Sequence, residues 1–368
     1  MMTKYQLNIN KNILVLGDVF LDIFETTDVV KISPERPVPV LQPINNIKLL
    51  GGAANVANNI KSVGGSAFLI SKLSNDVTFR EIKKILNKNK IEFRIFTNKD
   101  YSSPIKKRIV QNDHQFCRID DESYSELKTK DEIKILNFIK KNINKFQSLI
   151  LSDYSKGFLT PNLIKNVIKI FRNKQKKIYT DPKNKNINIY KGSSFICPNQ
   201  IEFNNFFDFE NLQINMKSIK KLIKKTQCDA FVVTKGSKGI SVFSKNKTNF
   251  NIAQESVNVY DVTGAGDTFV GLFSYLMSND IDIVTSLKIS SYACVKIVQK
   301  KHTATLNFRE FQNIICKFCS ENNIELNLKI KLWKLANFKI GITNGCFDII
   351  HSGHLHLFGI AKQKCDKL

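Results

Sequence analysis

The chain has 368 residues, of which 42% are hydrophobic and 24% are charged, as is usual for a folded globular protein. This composition excludes a disordered chain, a collagen and a disulfide-rich miniprotein. A prior of about 150 residues per domain predicts two or three domains, or one large domain with an extra piece. No stretch approaches the ~18 consecutive apolar residues of a membrane span, and the N-terminus lacks the pattern of a signal peptide. We therefore expect a cytoplasmic protein without a membrane partner.

Lys and Arg number 56 against 32 Asp and Glu, which gives a net charge of +24. Such an excess can indicate nucleic-acid binding. Here the lysines are spread along the chain and are not interleaved with aromatic residues as on a base-stacking surface. We interpret them as a solvated surface and expect no nucleic-acid partner, although a polyanionic small molecule would still be attracted. The eight cysteines include one C-x-x-C pair, Cys316 and Cys319, and are expected to be free thiols.

Short apolar runs alternate with helical stretches along most of the chain. The predicted strands are residues 13–17, 148–153, 177–182, 194–199 and 229–236. The predicted helices include residues 55–64, 163–174 and 216–226. This alternation is typical of an α/β domain with a mostly parallel sheet, in which ligands bind beyond the carboxyl ends of the strands. Polar residues stand at those ends, namely Asp18, Asp153, Asp181, Asn199 and Thr234.

Two segments break this pattern. Residues 24–44 are β-prone and contain several prolines, and residues 104–120 predict a hairpin. Together they predict a small β-lid over a pocket. After about residue 318 the chain becomes polar and then helical, and a further strand is predicted at residues 339–345.

The sharpest local motif is DVTGAGDTF at residues 261–269. Gly264, Ala265 and Gly266 precede an apolar helix, so that backbone N–H groups can converge on an anion at the helix N-terminus. Asp267 stands at the mouth of this turn, where a carboxylate can take a proton from an attacking hydroxyl group. The alternative interpretation is that Asp267 only caps the helix after a glycine turn.

Two other motifs also have a functional and a structural interpretation. Gly52 in GGAANVA (51–57) permits close approach of the backbone to a ligand, and Asn55 can hydrogen-bond sugar hydroxyl groups. In CPNQIEF (197–203), Asn199 and Glu202 carry oxygen ligands of the kind that Mg²⁺ prefers. The structural alternatives are a turn before a helix and the end of a strand.

The order of these motifs carries a resemblance. GDVFLD (17–22), GGAANVA, the proline-rich lid, N-x-x-E and DVTGAGD occur at spacings similar to those of the ribokinase-like (PfkB) family of sugar kinases. The resemblance covers residues 12 to about 318. It implies a central, mostly parallel sheet with flanking helices and a small β-lid. It also implies transfer of the γ-phosphoryl group of ATP to a sugar hydroxyl, with Mg²⁺.

Further segments narrow the resemblance: KISPERPVPV (31–40), LSDYSKG (151–157), TDPK (180–183) and YDVTGAGDT (260–268). They resemble the kinase half of the bifunctional heptose-7-phosphate kinase / heptose-1-phosphate adenylyltransferase family of bacterial lipopolysaccharide synthesis. The substrate implied is heptose 7-phosphate, phosphorylated at the C1 hydroxyl. A homodimer formed through the lids is implied as well.

The expected site residues follow position by position. Asp267 is the expected base, and the backbone of Gly264, Ala265 and Gly266 is expected to neutralise the transferring phosphoryl group. We expect Asn199 and Glu202 to hold Mg²⁺ indirectly, without a direct metal ligand from the protein. The residues expected near ATP are Lys235, Gly236 and Gly239. The residues expected near the sugar phosphate are Asp18, Asp22, Gly52, Asn55, Lys107, Arg108, Arg118, Asp153 and Lys156.

The last part of the chain carries a second resemblance. TNGCFDIIHSGHLHLF (343–358) resembles the opening motif of the cytidylyltransferase-like nucleotidyltransferases, in which His351 and His354 would stabilise the α-phosphate. About 25 residues remain from Thr343 onward, whereas such a domain needs roughly a hundred or more to bury a core. We expect a kinase domain at 1–318, a linker at 319–337 and a truncated nucleotidyltransferase piece at 338–368, without adenylyltransferase activity.

Some alternatives remain open at this point. The chain could phosphorylate another sugar or a nucleoside, or it could be a non-catalytic relic. His302 stands where the family usually has a glycine, in a loop expected near the adenine pocket. This difference predicts an effect on nucleotide affinity.

Overall fold

Buried apolar runs such as residues 13–16 form the strands of the computed structural model, which describes residues 12–97, 101–112, 114–246, 249–255 and 257–368. The strands are β1 (Asn12–Gly17), β2 (Val19–Ile32), β3 (Pro39–Gly52), β4 (Ser66–Leu73), β5 (Glu92–Thr97), β6 (Ile105–Gln111), β7 (His114–Asp121), β8 (Phe146–Ser152), β9 (Lys177–Asp181), β10 (Phe195–Ile196), β11 (Ala230–Thr234), β12 (Ile240–Ser244) and β13 (Phe250–Ile252).

Helices connect these strands and continue after them. They are α1 (Ala53–Ser62), α2 (Val77–Lys88), α3 (Thr129–Asn142), α4 (Pro161–Arg172), α5 (Gln200–Phe209), α6 (Met216–Thr226), α7 (Ala265–Ser278), α8 (Ile283–Val298), α9 (Phe308–Glu321), α10 (Leu326–Leu335) and α11 (Ser352–Lys364). Helix α4 shows why they begin where they do. The Thr160 side chain accepts a hydrogen bond from the Leu163 backbone N–H, and Pro161 opens the helix.

The larger sheet of the described residues has the order β13-β12-β11-β10-β9-β8-β1-β4-β5. Neighbouring strands are parallel except for the antiparallel pairs β11–β12 and β12–β13. Alternate residues of β1 enter two cores: Ile13 and Val15 pack with α1, α7 and α8, and Leu14 and Leu16 pack on the opposite face with α4. Because helices cover both faces, the carboxyl edge of the parallel strands is left open for a site.

The predicted lid is confirmed. Strands β2 and β3 form a long antiparallel hairpin, and β6 and β7 form a second one that joins it through the parallel pair β2–β6, in the order β3-β2-β6-β7. The outer part of this sheet exposes apolar side chains, including Val30, Ile32, Val38 and Ile44. The α/β fold with a lid therefore agrees with the architecture expected from the sequence.

Several predicted boundaries are wrong, for identifiable physical reasons. The strand predicted at 194–199 is reduced to Phe195–Ile196, because Pro198 has no N–H to donate and Asn199 already caps α5. The strand predicted at 339–345 is absent: in this segment the structure has one isolated bridge, between Ile340 and Lys367. A strand needs a neighbour for its backbone hydrogen bonds, and the sequence alone did not show whether one was present.

The segment predicted as a linker, 319–337, contains the end of α9 and all of α10. Leu332 and Ala336 of this segment are fully buried in the core that also contains α9. Helix α11, by contrast, buries none of its described residues, and Ile342 and Ile349 are 89% and 80% exposed. The segment 319–337 thus packs with the first domain, while the division of the chain into domains stays a prediction.

We searched the described ranges for helices that could cross a membrane, and none is both long and apolar enough.

The aromatic residues beneath the sheet provide a test of this core. Phe273 of α7 is fully buried, with its ring centroid 5.5 Å from that of Tyr179 and 5.4 Å from that of Phe195. Replacing Phe273 by Ala should lower the free energy of unfolding by about 3–5 kcal/mol, because it leaves a cavity. The matched control is Phe209→Ala. Phe209 is 50% exposed, so this variant should lose far less free energy of unfolding. Urea unfolding of both variants decides this, and equal losses would contradict the packing described.

Candidate active site

The turn before α7 leaves room for an anion. Gly264 adopts φ = 80°, and a Cβ atom there would lie 2.9 Å from Asn55 Nδ2. Glycine is therefore the residue that fits. A Cβ atom on Gly266 would meet no atom of the described residues within 4 Å, so the first turn of the helix borders open space. Since backbone N–H groups and the helix dipole point outward at such a turn, it suits a phosphoryl group.

Asp267 lies in this first turn but does not cap the helix, since Gly264 is the N-cap residue. Its buried carboxylate accepts hydrogen bonds from Asn55 Nδ2 at 2.8 Å and from the Tyr154 hydroxyl at 2.7 Å. Burial raises the pKa of Asp267 to about 7; the two hydrogen bonds oppose the rise and the charge of Asp22 adds to it. A carboxyl group with this pKa can accept a proton near neutral pH.

Asp22 of β2 belongs to the same buried cluster. One of its carboxylate oxygens lies 2.5 Å from Arg108 Nη1, and the other accepts a hydrogen bond from Thr303 Oγ1 at 3.0 Å. Arg108 also lies over the ring of Phe24. These contacts join β2 and β6 of the lid to the loop before α9. Asp22, Arg108 and Thr303 are all buried.

Asp18 has a structural role that the sequence did not indicate. Its buried carboxylate accepts hydrogen bonds from the backbone N–H groups of Tyr154, Lys156 and Phe158, at 3.1, 3.1 and 3.2 Å. These bonds fix the loop after β8, which we call the 153–158 loop. The loop in turn carries the tyrosine that reaches Asp267. A direct contact between Asp18 and a sugar stays a prediction.

Asp153 also serves this loop. Its carboxylate accepts a hydrogen bond from the Ser155 backbone N–H at 2.7 Å and another from the Tyr190 hydroxyl. Burial raises the pKa of Asp153 to about 6, with a further increase from the charge of Asp18. Gly52, also expected near the sugar, adopts φ = 61°, and its missing side chain allows the backbone of β3 to approach the Asp18 carbonyl oxygen.

The basic residues predicted near the sugar phosphate separate into two sets. Arg108 and Lys156 lie on the side of the lid that faces Asp267, and Lys156 forms an ion pair with Glu122. Lys107 points to the opposite face of β6, where it lies 2.5 Å from Glu25. Arg118 is half exposed and pairs with Asp120 of its own strand at 2.9 Å. Lys107 is therefore turned away from the cluster around Asp267, whereas Arg118 lies opposite Arg108 on the same face of the lid but toward solvent.

An apolar cavity of about 240 Å³ lies on the other side of the glycine turn. Its lining includes Gly236, Gly239 and Gly266, and the valines at 257, 259, 262 and 298. Such a slot fits a flat aromatic base beside a phosphate-binding turn. Lys235 is not part of the lining, although it precedes Gly236 directly.

Asn199 and Glu202 form a capping box at the start of α5. Asn199 Oδ1 accepts from the Glu202 backbone N–H at 2.9 Å, and Glu202 Oε2 accepts from the Asn199 backbone N–H at 3.0 Å. The structural interpretation of this motif is therefore correct, and its role toward Mg²⁺ stays a prediction; the charge of Glu202 also acts on Asp181. Burial and the charges of Glu202, Asp267 and Asp153 raise the pKa of Asp181 well above its usual range. Lys183, whose ammonium lies 3.1 Å from Glu202 Oε1, offsets part of this negative charge, and a divalent cation would offset more.

A direct metal cage is a separate question. Among the described residues, no group of three or more His, Cys, Asp or Glu side chains is placed to hold a metal ion. Mg²⁺ commonly keeps water ligands and binds through one or two carboxylates and the phosphates of a nucleotide. The residues present fit that indirect mode.

Sequence reasoning missed Tyr154, Thr303 and Lys106. Tyr154 stands in the LSDYSKG segment, where the charged neighbours drew attention instead, and its link to Asp267 spans 113 positions. His302 adopts φ = 67°, which accounts for a preference for glycine there. It packs on Phe24 with ring centroids 4.3 Å apart and lines a cavity with Asn55 and Thr303, separate from the apolar slot. The structure thus places His302 away from the apolar slot, and its effect on nucleotide affinity stays a prediction.

The two histidines of the second motif lie outside this cluster. Their ring centroids are 3.9 Å apart, and His351 Nδ1 accepts a hydrogen bond from the Gly353 backbone N–H at 3.2 Å. Phe347 packs against His354. Of the predicted strand and helix in this segment, the structure contains the helix, α11, after an irregular approach; the resemblance to nucleotidyltransferases stays a prediction.

Comparison with known proteins agrees with this architecture. The family model described as pfkB family carbohydrate kinase matches residues 10–308. "Bifunctional protein HldE" of Aliarcobacter butzleri is 34% identical over 97% of this chain and 77% of its own length. The protein of the same name from Campylobacter jejuni is also 34% identical, over 97% of this chain and 76% of its own length.

Solved structures resemble the fold. A putative ribokinase from Agrobacterium tumefaciens has a TM-score of 0.66 at 16% identity, covering 85% of this chain and all of that one. Phosphofructokinase-2 from Escherichia coli, in complex with potassium, has a TM-score of 0.67 at 16% identity, covering 83% and 98%. The fold is therefore ribokinase-like. The chain belongs to the pfkB family of carbohydrate kinases and, within it, to the family of the bifunctional protein HldE.

Proposed function

We propose that this sugar kinase transfers the γ-phosphoryl group of ATP to the C1 hydroxyl of D-glycero-D-manno-heptose 7-phosphate, giving heptose 1,7-bisphosphate. The observation that carries the proposal is the position of Asp267. Its buried carboxylate, with a pKa of about 7, lies in the first turn of α7 between the lid and the apolar slot. The heptose substrate is supported by the resemblance of the lid segment KISPERPVPV and of LSDYSKG to the heptose kinase family. We expect the enzyme to act in the cytoplasm, in lipopolysaccharide core synthesis.

In this mechanism the protein forms no covalent bond with the substrates; it moves one proton and stabilises charge. Asp267 accepts the proton of the C1 hydroxyl group of the sugar, and the C1 oxygen attacks the γ-phosphorus atom of ATP. The bond from that phosphorus to the bridging oxygen breaks, and ADP leaves with the electron pair. The backbone N–H groups of the turn from Gly264 to Gly266 stabilise the charge on the transferring phosphoryl group. The apolar slot with Gly236 and Gly239 would hold the adenine end of the nucleotide.

Mg²⁺ would be held through water near Asn199 and Glu202, beside Asp181, and would neutralise charge on the β- and γ-phosphates. The protein side of this arrangement is the capping box, which fixes both side chains at the start of α5.

The oligomer that we infer is a homodimer formed through the lids. The exposed apolar side chains of Val30, Ile32, Val38 and Ile44 support it, because several exposed apolar residues on one hairpin are typical of an interface.

Replacing Asp267 by Asn should remove the base and keep the site's shape. In an ATP-consumption assay with Mg²⁺ and heptose 7-phosphate, we expect kcat to fall about 10²–10⁴-fold while the Kd for ATP stays within twofold. The matched control is Asp282→Asn, because Asp282 caps α8 and Asn caps equally well. Ribose, fructose 1-phosphate and adenosine serve as alternative acceptors. Near-normal turnover by the Asp267→Asn variant would exclude Asp267 as the base, and turnover of another acceptor alone would exclude the heptose substrate.

The pH dependence tests the role of Tyr154. Activity that needs the carboxylate form of Asp267 should rise as pH increases through about 7. The Tyr154 hydroxyl donates to this carboxylate and favours its charged form, so Tyr154→Phe should raise the pKa of Asp267. The acidic limb of kcat/KM should then move to higher pH by about one unit. Tyr124→Phe, at an exposed hydroxyl that pairs with Glu126, is the control. An unmoved limb would show that Tyr154 does not influence the base.

We do not expect adenylyl transfer from the 368-residue chain. Helix α11 buries none of its described residues, and the segment before it has one backbone bridge, so the second motif is not packed into a core within residues 338–368. Pyrophosphate release from ATP and heptose 1-phosphate is the measurement. The control is the double variant His351→Ala/His354→Ala, and a rate clearly above that of the control would contradict this expectation.

A further inference from the structure

Strand β4 carries a lysine inside the fold. Lys72 stands near the carboxyl end of β4, at the same edge of the sheet as Asp18, and is only 3% exposed. Its ammonium group donates a hydrogen bond to the backbone carbonyl of Ser125 and lies 4.2 Å from the ring centroid of Tyr101. Lysines are rarely buried unless their charge has partners, so the neighbours of Lys72 indicate what its ammonium group does.

The groups around Lys72 come from three elements. Burial lowers the pKa of Lys72 to about 8, while the carboxylates of Asp18, after β1, and Glu126, before α3, favour its charged form. Tyr101, before β6, stays neutral because burial raises the pKa of its hydroxyl group. Lys72 is therefore charged at neutral pH and loses its proton under mildly alkaline conditions. The acidic groups that act on Lys72 or on Tyr101 are Asp18, Glu126, Glu122 and Asp76.

The carbonyl group that Lys72 contacts belongs to residues 125–127, which we call the 125–127 segment. This segment donates two backbone hydrogen bonds to the 153–158 loop: from Ser125 to the Lys156 carbonyl oxygen at 3.4 Å, and from Leu127 to the Gly157 carbonyl oxygen at 2.8 Å. Gly157 adopts φ = 93°, and a Cβ atom there would collide with the carbonyl oxygen that accepts from the lysine. The segment and the loop are therefore in close contact beside the ammonium group.

The 153–158 loop is thus supported from two sides. The carboxylate of Asp18 holds three of its N–H groups, and the 125–127 segment holds two of its carbonyl groups. Lys72 acts on both supports, since it bonds the segment and its charge favours the carboxylate. The loop carries Tyr154, whose hydroxyl group donates to Asp267 at 2.7 Å. A change at Lys72 would therefore reach the proposed base through the loop.

We propose that Lys72 is a positioning residue for phosphoryl transfer: its ammonium group holds the 125–127 segment against the 153–158 loop and so keeps Tyr154 on the carboxylate of Asp267. The inference rests on the proposed function, because it takes Asp267 as the base. A charged donor forms a stronger hydrogen bond than a neutral amine. Loss of the Lys72 proton should therefore loosen the loop and set an upper pH limit on activity, beside the lower limit that Asp267 sets.

The first measurement is the pH profile of kcat/KM for the full chain with heptose 7-phosphate. In the wild type, kcat/KM should fall above about pH 8. In Lys72→Met, kcat/KM should be about five- to tenfold lower at neutral pH and should show no further loss there. Lys72→Arg keeps a charged donor at every pH, so it should restore activity and abolish the alkaline fall.

The matched control is Lys176→Met. Lys176 is also a lysine whose ammonium group donates to a backbone carbonyl and whose pKa burial lowers. Its acceptor is Phe146, at the opposite end of β8 from the 153–158 loop. This variant should keep the wild-type pH profile. Thermal unfolding of each variant checks that it folds.

The second measurement does not depend on catalysis. Hydrogen exchange of the backbone N–H groups of Leu127, Lys156 and Phe158 is followed without substrate and corrected for the intrinsic effect of pH. Protection of these groups should be about five- to tenfold lower in Lys72→Met than in the wild type. In the wild type itself it should fall above about pH 8.

The outcomes separate this inference from the proposed function. Loss of protection in Lys72→Met supports the inference, even if no sugar is phosphorylated and the proposed function fails. Unchanged protection in the folded Lys72→Met variant overturns it, even if heptose 7-phosphate is turned over. With an active enzyme, a wild-type pH profile in Lys72→Met overturns it as well. If the variants do not fold, the wild-type protection decides: a fall above about pH 8 supports the inference, and constant protection overturns it.

Discussion

Asp18, Asp153, Asp181 and Asp267 are held together, out of full contact with water, at the carboxyl edge of the sheet. Removing carboxylates from water is unfavourable, and placing them near one another makes it more so. Each one that is buried meets this constraint by a different means. Asp18 receives three backbone N–H groups, Asp153 a tyrosine and a backbone N–H group, and Asp267 an amide and a tyrosine. Asp181 lies near the charges of Glu202, Asp267 and Asp153, which raise its pKa, and near Lys183, which lowers it.

Three basic residues of the lid are paired with acidic residues other than those four: Arg108 with Asp22, Lys107 with Glu25, and Lys106 with Glu122. These pairs differ in depth, and the difference separates their roles. The Arg108 pair is buried and further fixed by Thr303, as a structural element would be. The Glu122 group is more open, and Glu122 pairs with Lys156 as well as with Lys106.

The sequence predicted the fold well wherever the local pattern was decisive. The amphipathic run at 216–226 coincides with α6, and the proline-rich and hairpin segments form the lid. The predictions were wrong where the structure of a segment depends on a contact with a segment distant in the sequence. The apolar run at 339–345 has strand-like residues, yet a strand exists only beside another strand. For the same reason the packing of α10 onto the first core could not be read from its composition.

The site shows the same division. The turn at Gly264 and the importance of Asp267 could be recognised from one continuous motif. Asn55 was expected to contact the sugar, but in the structure it donates to Asp267, 212 positions away. Pairings over such distances are set by the order of strands in the sheet, and periodicity contains no information about them. The same holds for the basic residues of β6, where strand alternation puts Lys106 and Lys107 on opposite sides while composition treats them alike.

The clamp that Asp18 places on the 153–158 loop has a consequence for how this protein can vary. One carboxylate holds three N–H groups at alternate residues, so the loop has a fixed length as well as a fixed shape. Inserting or deleting a single residue between Tyr154 and Phe158 would move the tyrosine away from Asp267 without altering any residue of the site. A protein that keeps Asp18, Tyr154 and Asp267 should therefore also keep the length and the register of the 153–158 loop.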